Sequence, residues 1–127
     1  MKPNSATPAP LADILGLFLP SGMLDYFTVV DCISQEACFI LYLEEQCVIP
    51  SEHSHLHLHS KGFFPEIEVQ DFPIRGKAVY LRIKRRRWED PQTGQTYSRD
   101  WNLVACGTRI TAEFGAFLKE LLRQSCR

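Results

Sequence analysis

The chain has 127 residues and a formal net charge of −1 at pH 7, and this length predicts one small domain and excludes a complete multidomain enzyme. Hydrophobic residues make up 45% of the sequence and charged residues 23%, which is typical of a soluble protein with one core. A membrane span needs about 18 consecutive apolar residues, and the sequence contains no apolar run of that length. The apolar stretch near the N terminus contains Asp13 and follows a polar start, so we expect a cytoplasmic protein, not a secreted one.

Charge is distributed unevenly along the chain. Residues 1–73 contain two basic and ten acidic side chains, whereas residues 74–127 contain twelve basic and five acidic ones. This polarity predicts two halves that attract each other, or two halves that bind different partners.

The first predicted elements are a leader, a helix and a hairpin. Residues 1–10 include three prolines and are expected to be disordered, and residues 11–19 carry apolar side chains at helical spacing. Residues 25–33 and 37–44 are rich in aromatic and β-branched side chains, which predicts a β-hairpin. The polar, histidine-rich residues 48–60 predict a loop or an edge strand.

A second β unit is predicted after residue 66. Residues 67–72 and 78–88 predict two strands that are joined by a turn at residues 73–77. A strong turn signal at residues 90–94 precedes a third predicted strand at residues 96–104.

A helix is predicted at the C-terminal end, where Thr111 can act as its N-cap. Its apolar stripe consists of Phe114, Phe117, Leu118, Leu121 and Leu122. The sequence therefore predicts an α+β fold of small antiparallel sheet units with a short N-terminal helix and a C-terminal amphipathic helix. The predicted organisation is a leader (residues 1–10), a main domain (residues 11–107) and the C-terminal helix (residues 108–127).

The strand predicted at residues 78–88 carries the strongest functional signal. Strand alternation separates an apolar face (Val79, Leu81, Ile83) from a face with basic and aromatic side chains. A cationic ridge with an aromatic residue at each end can neutralise phosphates along a nucleic-acid backbone. The candidate nucleic-acid-binding residues are Arg75, Lys77, Tyr80, Arg82, Lys84, Arg86, Arg87 and Trp88. The alternative is a solvated strand face that pairs with the acidic first half of the chain.

Four histidines alternate along the chain at His53, His55, His57 and His59. In an extended strand their imidazoles share one face, with neighbours about 7 Å apart, and two of them can hold a divalent metal. No carboxylate stands at the spacing of a catalytic metal site, so the alternative is a polar surface loop without metal. Glycine-rich phosphate loops and nucleophile motifs are missing from the sequence, and we expect neither catalytic residues nor a cofactor.

The five cysteines, at positions 32, 38, 47, 106 and 126, include no C-x-x-C pair. This spacing argues against a disulfide framework and a zinc ribbon and favours reduced thiols. Cys32 and Cys38 could still face each other across the predicted hairpin.

The sequence around the basic strand resembles one protein family. The resemblance is carried by residues 60–66 (SKGFFPE), 69–81 (VQDFPIRGKAVYL), 83–88 (IKRRRW), 98–105 (SRDWNLVA) and 107–109 (GTR). These segments resemble the N-terminal region of bacterial insertion-sequence transposases of the ISAon type, most specifically between residues 71 and 88. The layout is more distantly similar to zinc-ribbon-bearing transposases of the ISL-three kind. The C-x-x-C pairs that flank the basic strand there are missing here, so the resemblance does not imply zinc.

The resemblance implies a non-catalytic DNA-binding region that recognises or positions the ends of an insertion sequence. It implies two partners, the double-stranded DNA of the terminal repeats and a separately encoded subunit that carries the catalytic Asp-Asp-Glu domain. It also implies a bacterial cytoplasmic protein that is nucleoid-associated when bound to DNA. Residues 108–124 look like the opening helix of a truncated helix-turn-helix.

The alternative function is a protein-interaction module that docks on the catalytic subunit without binding DNA. In that case the apolar stripe of the C-terminal helix would contact the partner. If the stripe instead covers the chain's own sheet, as in most amphipathic helices, it offers no docking surface.

Overall fold

The computed structural model describes residues 14–99 and 109–125, which form an α+β fold with two small β-sheets. The strands are β1 (Phe27–Ser34), β2 (Cys38–Glu45), β3 (His59–Phe63), β4 (Ile67–Ile74), β5 (Lys77–Lys84), β6 (Arg86–Glu89) and β7 (Thr96–Tyr97). Helix α1 spans Ala112–Ser125, and short 3-10 helices span Met23–Asp25 and Ser51–His53. The predicted α+β class is confirmed.

The first sheet has the strand order β1-β2-β5-β4. β1 and β2 form the predicted hairpin, and β4 pairs with β5 in antiparallel orientation. The central pair, β2 and β5, is parallel, which the sequence pattern did not indicate. Leu81 lies opposite Leu41 on one side and Val69 on the other, so the register aligns the apolar positions of three strands on one face.

The segment before β1 covers this apolar face. Leu19 and Met23 of this segment, together with Phe27 at the start of β1, are buried there. The sheet side of the core consists of Leu43, Val69, Val79, Leu81 and Ile83. The predicted N-terminal helix is reduced, within the described residues, to a helical turn at residues 14 and 15 followed by turns. The core therefore depends on a short, turn-rich segment packed on one side of a sheet.

A long two-stranded ribbon connects the two sheets. β3 and β4 run antiparallel to β5 and β6, so that β4–β5 belongs to the first sheet and β3–β6 to the second, which β7 completes. The ribbon turns at Arg75 and Gly76, whose φ angles of 54° and 79° are both positive. A two-residue hairpin turn of type I′ requires positive φ at both positions, and glycine adopts it without strain. The strand predicted at residues 78–88 is divided at Arg85, where the chain passes from one sheet to the other.

Helix α1 begins at the edge of β4. The backbone N–H of Gln70 donates to the carbonyl of Arg109 (2.8 Å), and the N–H of Thr111 donates to the carbonyl of Gln70 (2.9 Å). The Thr111 hydroxyl accepts the N–H of Phe114 at 3.3 Å, so Thr111 is the N-cap that the sequence predicted. The rings of Phe114 and Phe117 lie 5.1 and 5.4 Å from the ring of Phe72 and hold the first half of the helix on β4.

Several predictions fall outside the described residues: the leader, the start of the N-terminal helix, the end of the third predicted strand, Cys106 and Cys126. Cys32 lies opposite Leu41 and Cys38 opposite Ala78, so these two cysteines do not face each other across the hairpin. Both are free, as is Cys47. No helix within residues 14–99 and 109–125 is long and apolar enough to cross a membrane.

Candidate nucleic-acid interface

The ribbon of residues 59–89 holds most of the basic side chains of the molecule. It carries eight basic and four acidic residues, whereas the chain as a whole has a net charge of −1. A polyanion would therefore be attracted to the ribbon before other parts of the chain. The candidate residues differ, however, in whether neighbouring carboxylates or carbonyl groups already bind their side chains.

Three candidates share the outer face of the first sheet. Tyr80, Arg82 and Lys84 alternate with the buried side chains of β5, as predicted from their spacing. Acidic residues of the neighbouring strands stand beside them, because Glu44 lies opposite Lys84 and Glu68 opposite Arg82. This face is close to charge balance and is not the uniformly cationic ridge that the sequence predicted.

Of the two cations on this face, Arg82 is the more strongly neutralised. Its Nε donates to Glu68 Oε2 at 3.2 Å, and its guanidinium lies 5.7 Å from the ring centre of Tyr42. The hydrogen bond to Glu68 raises the pKa of the Arg82 guanidinium. Arg82 can therefore bind a phosphate only if its hydrogen bond to the Glu68 carboxylate breaks.

Arg86 is held by contacts within the molecule, and Trp88 is buried. Arg86 Nε donates to the carbonyl of Glu45 at 3.0 Å, Nη1 donates to the Ser60 hydroxyl at 2.8 Å, and the guanidinium stacks over Phe63. Trp88 is 2% exposed and cannot stack on a base at the surface. The predicted ridge from Tyr80 to Trp88 is therefore interrupted after Lys84, because the chain bends into the second sheet there.

The remaining predicted cations lie at the two ends of the ribbon. Arg75 is exposed at the hairpin tip, and Arg87 is exposed on β6 with Nη2 donating to the carbonyl of Lys61 at 3.2 Å. Lys77 is on the opposite face from Arg82, where its Nζ lies 4.2 Å from the ring centre of Phe39 and 3.3 Å from the Ser34 hydroxyl. In the described part of the chain, Arg75, Lys84 and Arg87 have no carboxylate within ion-pair distance.

Lys61 is a basic residue of this region that the sequence analysis missed. It lies on β3, and its Nζ is 3.5 Å from a Glu89 carboxylate oxygen on the paired strand, in an exposed ion pair. The residues before it predict a loop or an edge strand, and this pattern gives no indication of pairing with the basic strand. Alternation alone could not have found the residue, because β3 is only five residues long.

A buried ion pair holds the ribbon where it bends. Arg99 Nε donates to Glu45 Oε2 at 3.1 Å, with the two side chains 6% and 0% exposed. Glu45 Oε1 accepts the backbone N–H of Arg86 at 2.9 Å, and Arg99 Nη2 donates to the carbonyl of Val48 at 2.7 Å. The Arg99 guanidinium also lies 4.3 Å from the ring centre of Tyr26. These contacts tie the end of β2 to the start of β6 and so fix the angle at which the basic residues leave the first sheet.

The four histidines do not form the extended row that a shared metal site requires. His53 lies in a 3-10 helix with its ring 4.7 Å from that of Tyr97, and only His59 belongs to a strand. His55, His57 and His59 are exposed. Among the described residues, no group of three or more His, Cys, Asp or Glu side chains is arranged to hold a metal ion.

A second surface lies around the start of helix α1. An open cavity of about 570 Å³ is bounded by the N-terminal segment, the end of β4 and Glu113. Its buried carboxylate, Asp71, accepts the Thr111 hydroxyl at 2.8 Å. Burial raises the pKa of Asp71, the nearby Glu113 adds to this effect, and the Thr111 hydrogen bond opposes it. Glu113 Oε1 also accepts the backbone N–H of Ser21 at 3.3 Å, so both carboxylates tie the helix to the rest of the fold.

The apolar stripe of helix α1 is only half covered. Phe114 is 8% exposed and Leu118 is half-buried, in keeping with packing on the sheet. Phe117, Leu121 and Leu122 are 47%, 46% and 63% exposed. The stripe therefore serves the chain's own core with its first half and presents its second half to solvent.

Comparison with models of known protein families, with curated proteins and with solved structures gave no match.

Proposed function

We propose that the chain is the non-catalytic DNA-binding region of an insertion-sequence transposase, and that it binds the ends of the element in the bacterial cytoplasm, at the nucleoid. The observation that carries this proposal is the ribbon of residues 59–89, with eight basic and four acidic residues and an exposed tip at Arg75. The resemblance of its sequence to transposases of the ISAon type supports the same assignment. The catalytic Asp-Asp-Glu domain would be supplied from outside these 127 residues.

A two-stranded ribbon can enter the major groove of DNA, which is about 12 Å wide, or follow the phosphates at its border. The cations suited to this contact are the exposed or unneutralised ones, Arg75, Lys84 and Arg87. Arg82 and Arg86 are less suited because Glu68 and the carbonyl of Glu45 occupy them. Each phosphate that the protein neutralises releases counterions, so the affinity should fall as the salt concentration rises.

The test is binding of the purified chain to labelled duplex DNA over a series of salt concentrations. One duplex carries the terminal repeats of the element and a second is scrambled at equal composition. We expect the wild type to prefer the repeats, with a steep negative slope of log affinity against log salt. The variant Arg75→Ala/Lys84→Ala/Arg87→Ala should bind more weakly, and its slope should be shallower by about 0.9 for each phosphate that the protein no longer neutralises.

The matched control is Glu68→Ala/Arg82→Ala, which removes an ion pair from the same ribbon and leaves the net charge unchanged. We expect it to bind DNA like the wild type. The proposal is refuted if the wild type does not bind either duplex at low salt, or if the triple variant keeps the wild-type affinity and slope.

The exposed half of the α1 stripe favours a second candidate function, docking on the catalytic subunit. Phe117, Leu121 and Leu122 follow one another at helical spacing and are 47%, 46% and 63% exposed, and an exposed apolar patch can mark a protein-interaction surface. The variant Leu121→Gln/Leu122→Gln should abolish co-elution with the catalytic polypeptide of the same element, whereas Lys119→Gln on the same helix should not. Equal co-elution of the wild type and both variants would exclude this surface as the docking site.

A further inference from the structure

The turn at the tip of the ribbon holds an arginine in a left-handed backbone conformation. The φ angle of Arg75 is 54°, and within the described part of the chain no other residue except glycine has a positive φ. In this conformation the Cβ atom of an L-residue comes too close to the following carbonyl oxygen, so such turns favour Asn, Asp or Gly. Arginine therefore costs the hairpin free energy that these three residue types would largely avoid.

Contacts within the molecule do not explain this arginine. The Arg75 side chain is exposed and, among residues 14–99 and 109–125, makes no hydrogen bond, ion pair or ring contact. The turn between β1 and β2 lies at the same end of the sheet, because the N–H of Ala78 donates to the carbonyl of Ala37 at 3.1 Å. The carboxylate of that turn, Glu36, is not within ion-pair distance of Arg75. No described contact therefore offsets the cost of arginine in the turn.

The position of Arg75 suits contact with a molecule outside the chain. The turn has only two residues, and a Cβ atom added to the second of them, Gly76, would meet no atom within 4 Å. The neighbouring cation, Lys77, is held by the Ser34 hydroxyl and the ring of Phe39. Arg75 thus presents its guanidinium at an open tip. Strained backbone positions cluster at functional sites, where an interaction made by the side chain compensates for the strain.

We propose that Arg75 determines part of the DNA sequence specificity, by donating two hydrogen bonds to O6 and N7 of a guanine in the major groove. This inference rests on the proposed DNA-binding function and gives its three cations two different roles. The planar fork of arginine matches these two acceptors, and this pairing is the commonest base-specific contact between proteins and DNA. Contacts to phosphates, in contrast, position a protein on the duplex and carry no sequence information.

The phosphate contacts are assigned to Lys84 and Arg87, which lie away from the tip. β5 extends from Lys77 to Lys84, a distance of about 23 Å at about 3.3 Å per residue. Lys84 therefore cannot reach the base pair that Arg75 contacts, and Arg87 belongs to the second sheet. We expect removal of either cation to weaken binding to every DNA sequence by the same factor.

The test compares the affinity of the purified chain for three duplexes of equal length at one salt concentration. One duplex contains only G·C pairs, one contains only A·T pairs, and in the third 7-deazaguanine, which lacks the N7 acceptor, replaces guanine. We expect the wild type to bind the G·C duplex about 5- to 100-fold more tightly than the A·T duplex, as for one bidentate contact to guanine. The 7-deazaguanine duplex should bind more weakly than the G·C duplex, because one of the two acceptors is missing.

The ratio of the G·C and A·T affinities separates sequence recognition from general attraction between the chain and DNA. Arg75→Asn should remove the preference for G·C or reverse it, because asparagine pairs with adenine and not with guanine. The same variant should have a higher Tm than the wild type, because asparagine suits the turn. The matched control Arg87→Asn removes a charge from another exposed position of the ribbon, so it should weaken binding to both duplexes and keep the wild-type ratio.

The outcomes distinguish this inference from the proposed function. Equal binding of the wild type to all three duplexes would overturn the role of Arg75 and leave the proposed function standing, whereas no binding to any of them would overturn both. The role of Arg75 is also wrong if Arg75→Asn keeps the wild-type ratio. A lower Tm of Arg75→Asn would count against it too, because the turn would then not disfavour arginine.

Discussion

Replacing Glu45 by glutamine should destabilise the whole fold, because it leaves Arg99 as a buried cation without its carboxylate. Glu45 is 1% exposed and Arg99 5% exposed, so water cannot replace the missing partner. Removing one member of a buried ion pair costs about 3–5 kcal/mol. Domains have a total stability of about 5–15 kcal/mol, so the loss is a large part of the whole. For a chain of 127 residues it corresponds to a fall in Tm of about 10–20 °C.

Urea denaturation followed by tryptophan fluorescence measures this change in the free energy of unfolding. The matched control is Glu44→Gln, the neighbouring carboxylate on the outer face, which should change stability by less than about 0.5 kcal/mol. A variant in which both Glu45 and Arg99 are methionine should recover much of the loss, because apolar residues often replace a buried ion pair without cost. If Glu45→Gln and Glu44→Gln are equally stable, the ion pair does not hold the bend in the ribbon.

Three further outcomes follow from the described contacts. Burial raises the pKa of Asp71 above its ordinary value of 3.8, so the folded state holds this proton more tightly than the unfolded chain. The contribution of Asp71 to stability is therefore favourable at low pH and lost as pH rises through its folded pKa. Asp71→Asn should be at least as stable as the wild type at pH 7, and this relative gain should shrink in urea denaturation as the pH approaches 3.8. Arg75→Asn should stabilise the hairpin by about 0.5–1 kcal/mol, because Asn-Gly suits positive φ at both turn positions, and thermal unfolding would detect it. Phe114→Ala should cost about 3–5 kcal/mol and Leu122→Gln less than about 0.5 kcal/mol, since Phe114 is buried and Leu122 is 63% exposed; equal losses in chemical denaturation would contradict this division of the stripe.

Local patterns in the sequence were sufficient for the elements that local chemistry determines. The hairpin of β1 and β2, the turn at Arg75-Gly76 and the Thr111 cap each depend on residues close in the chain, and all three are present. Alternation also assigned Tyr80, Arg82 and Lys84 correctly to one face of β5.

The sequence pattern could not show which residues lie opposite one another on neighbouring strands. The neutralisation of Arg82 depends on the register that sets Glu68 opposite it, and the parallel partner of β5 comes from a hairpin more than thirty residues earlier in the chain. The burial of Trp88 depends on the bend at Arg85, because an unbroken strand would have kept Trp88 in line with Lys84. These are tertiary constraints that a single strand does not encode.

The parallel pairing of β2 with β5 also affects how the protein can fold during its synthesis. β5 lies between β2 and β4, so the first sheet cannot assemble until residue 84 has left the ribosome. After β2 ends at residue 45, this delay lasts about 2–8 s at a synthesis rate of about 5–20 residues per second.

During that delay β1 and β2 can form no more than an isolated hairpin, which is marginally stable in water. Its apolar residues, among them Ile40 and Leu43, would be exposed to other nascent chains. The first 73 residues carry ten acidic and only two basic side chains, so neighbouring unfinished chains repel one another. The basic ribbon that neutralises this charge emerges together with the strand that completes the sheet. We therefore expect the uneven distribution of charge to oppose aggregation for as long as the central strand is missing.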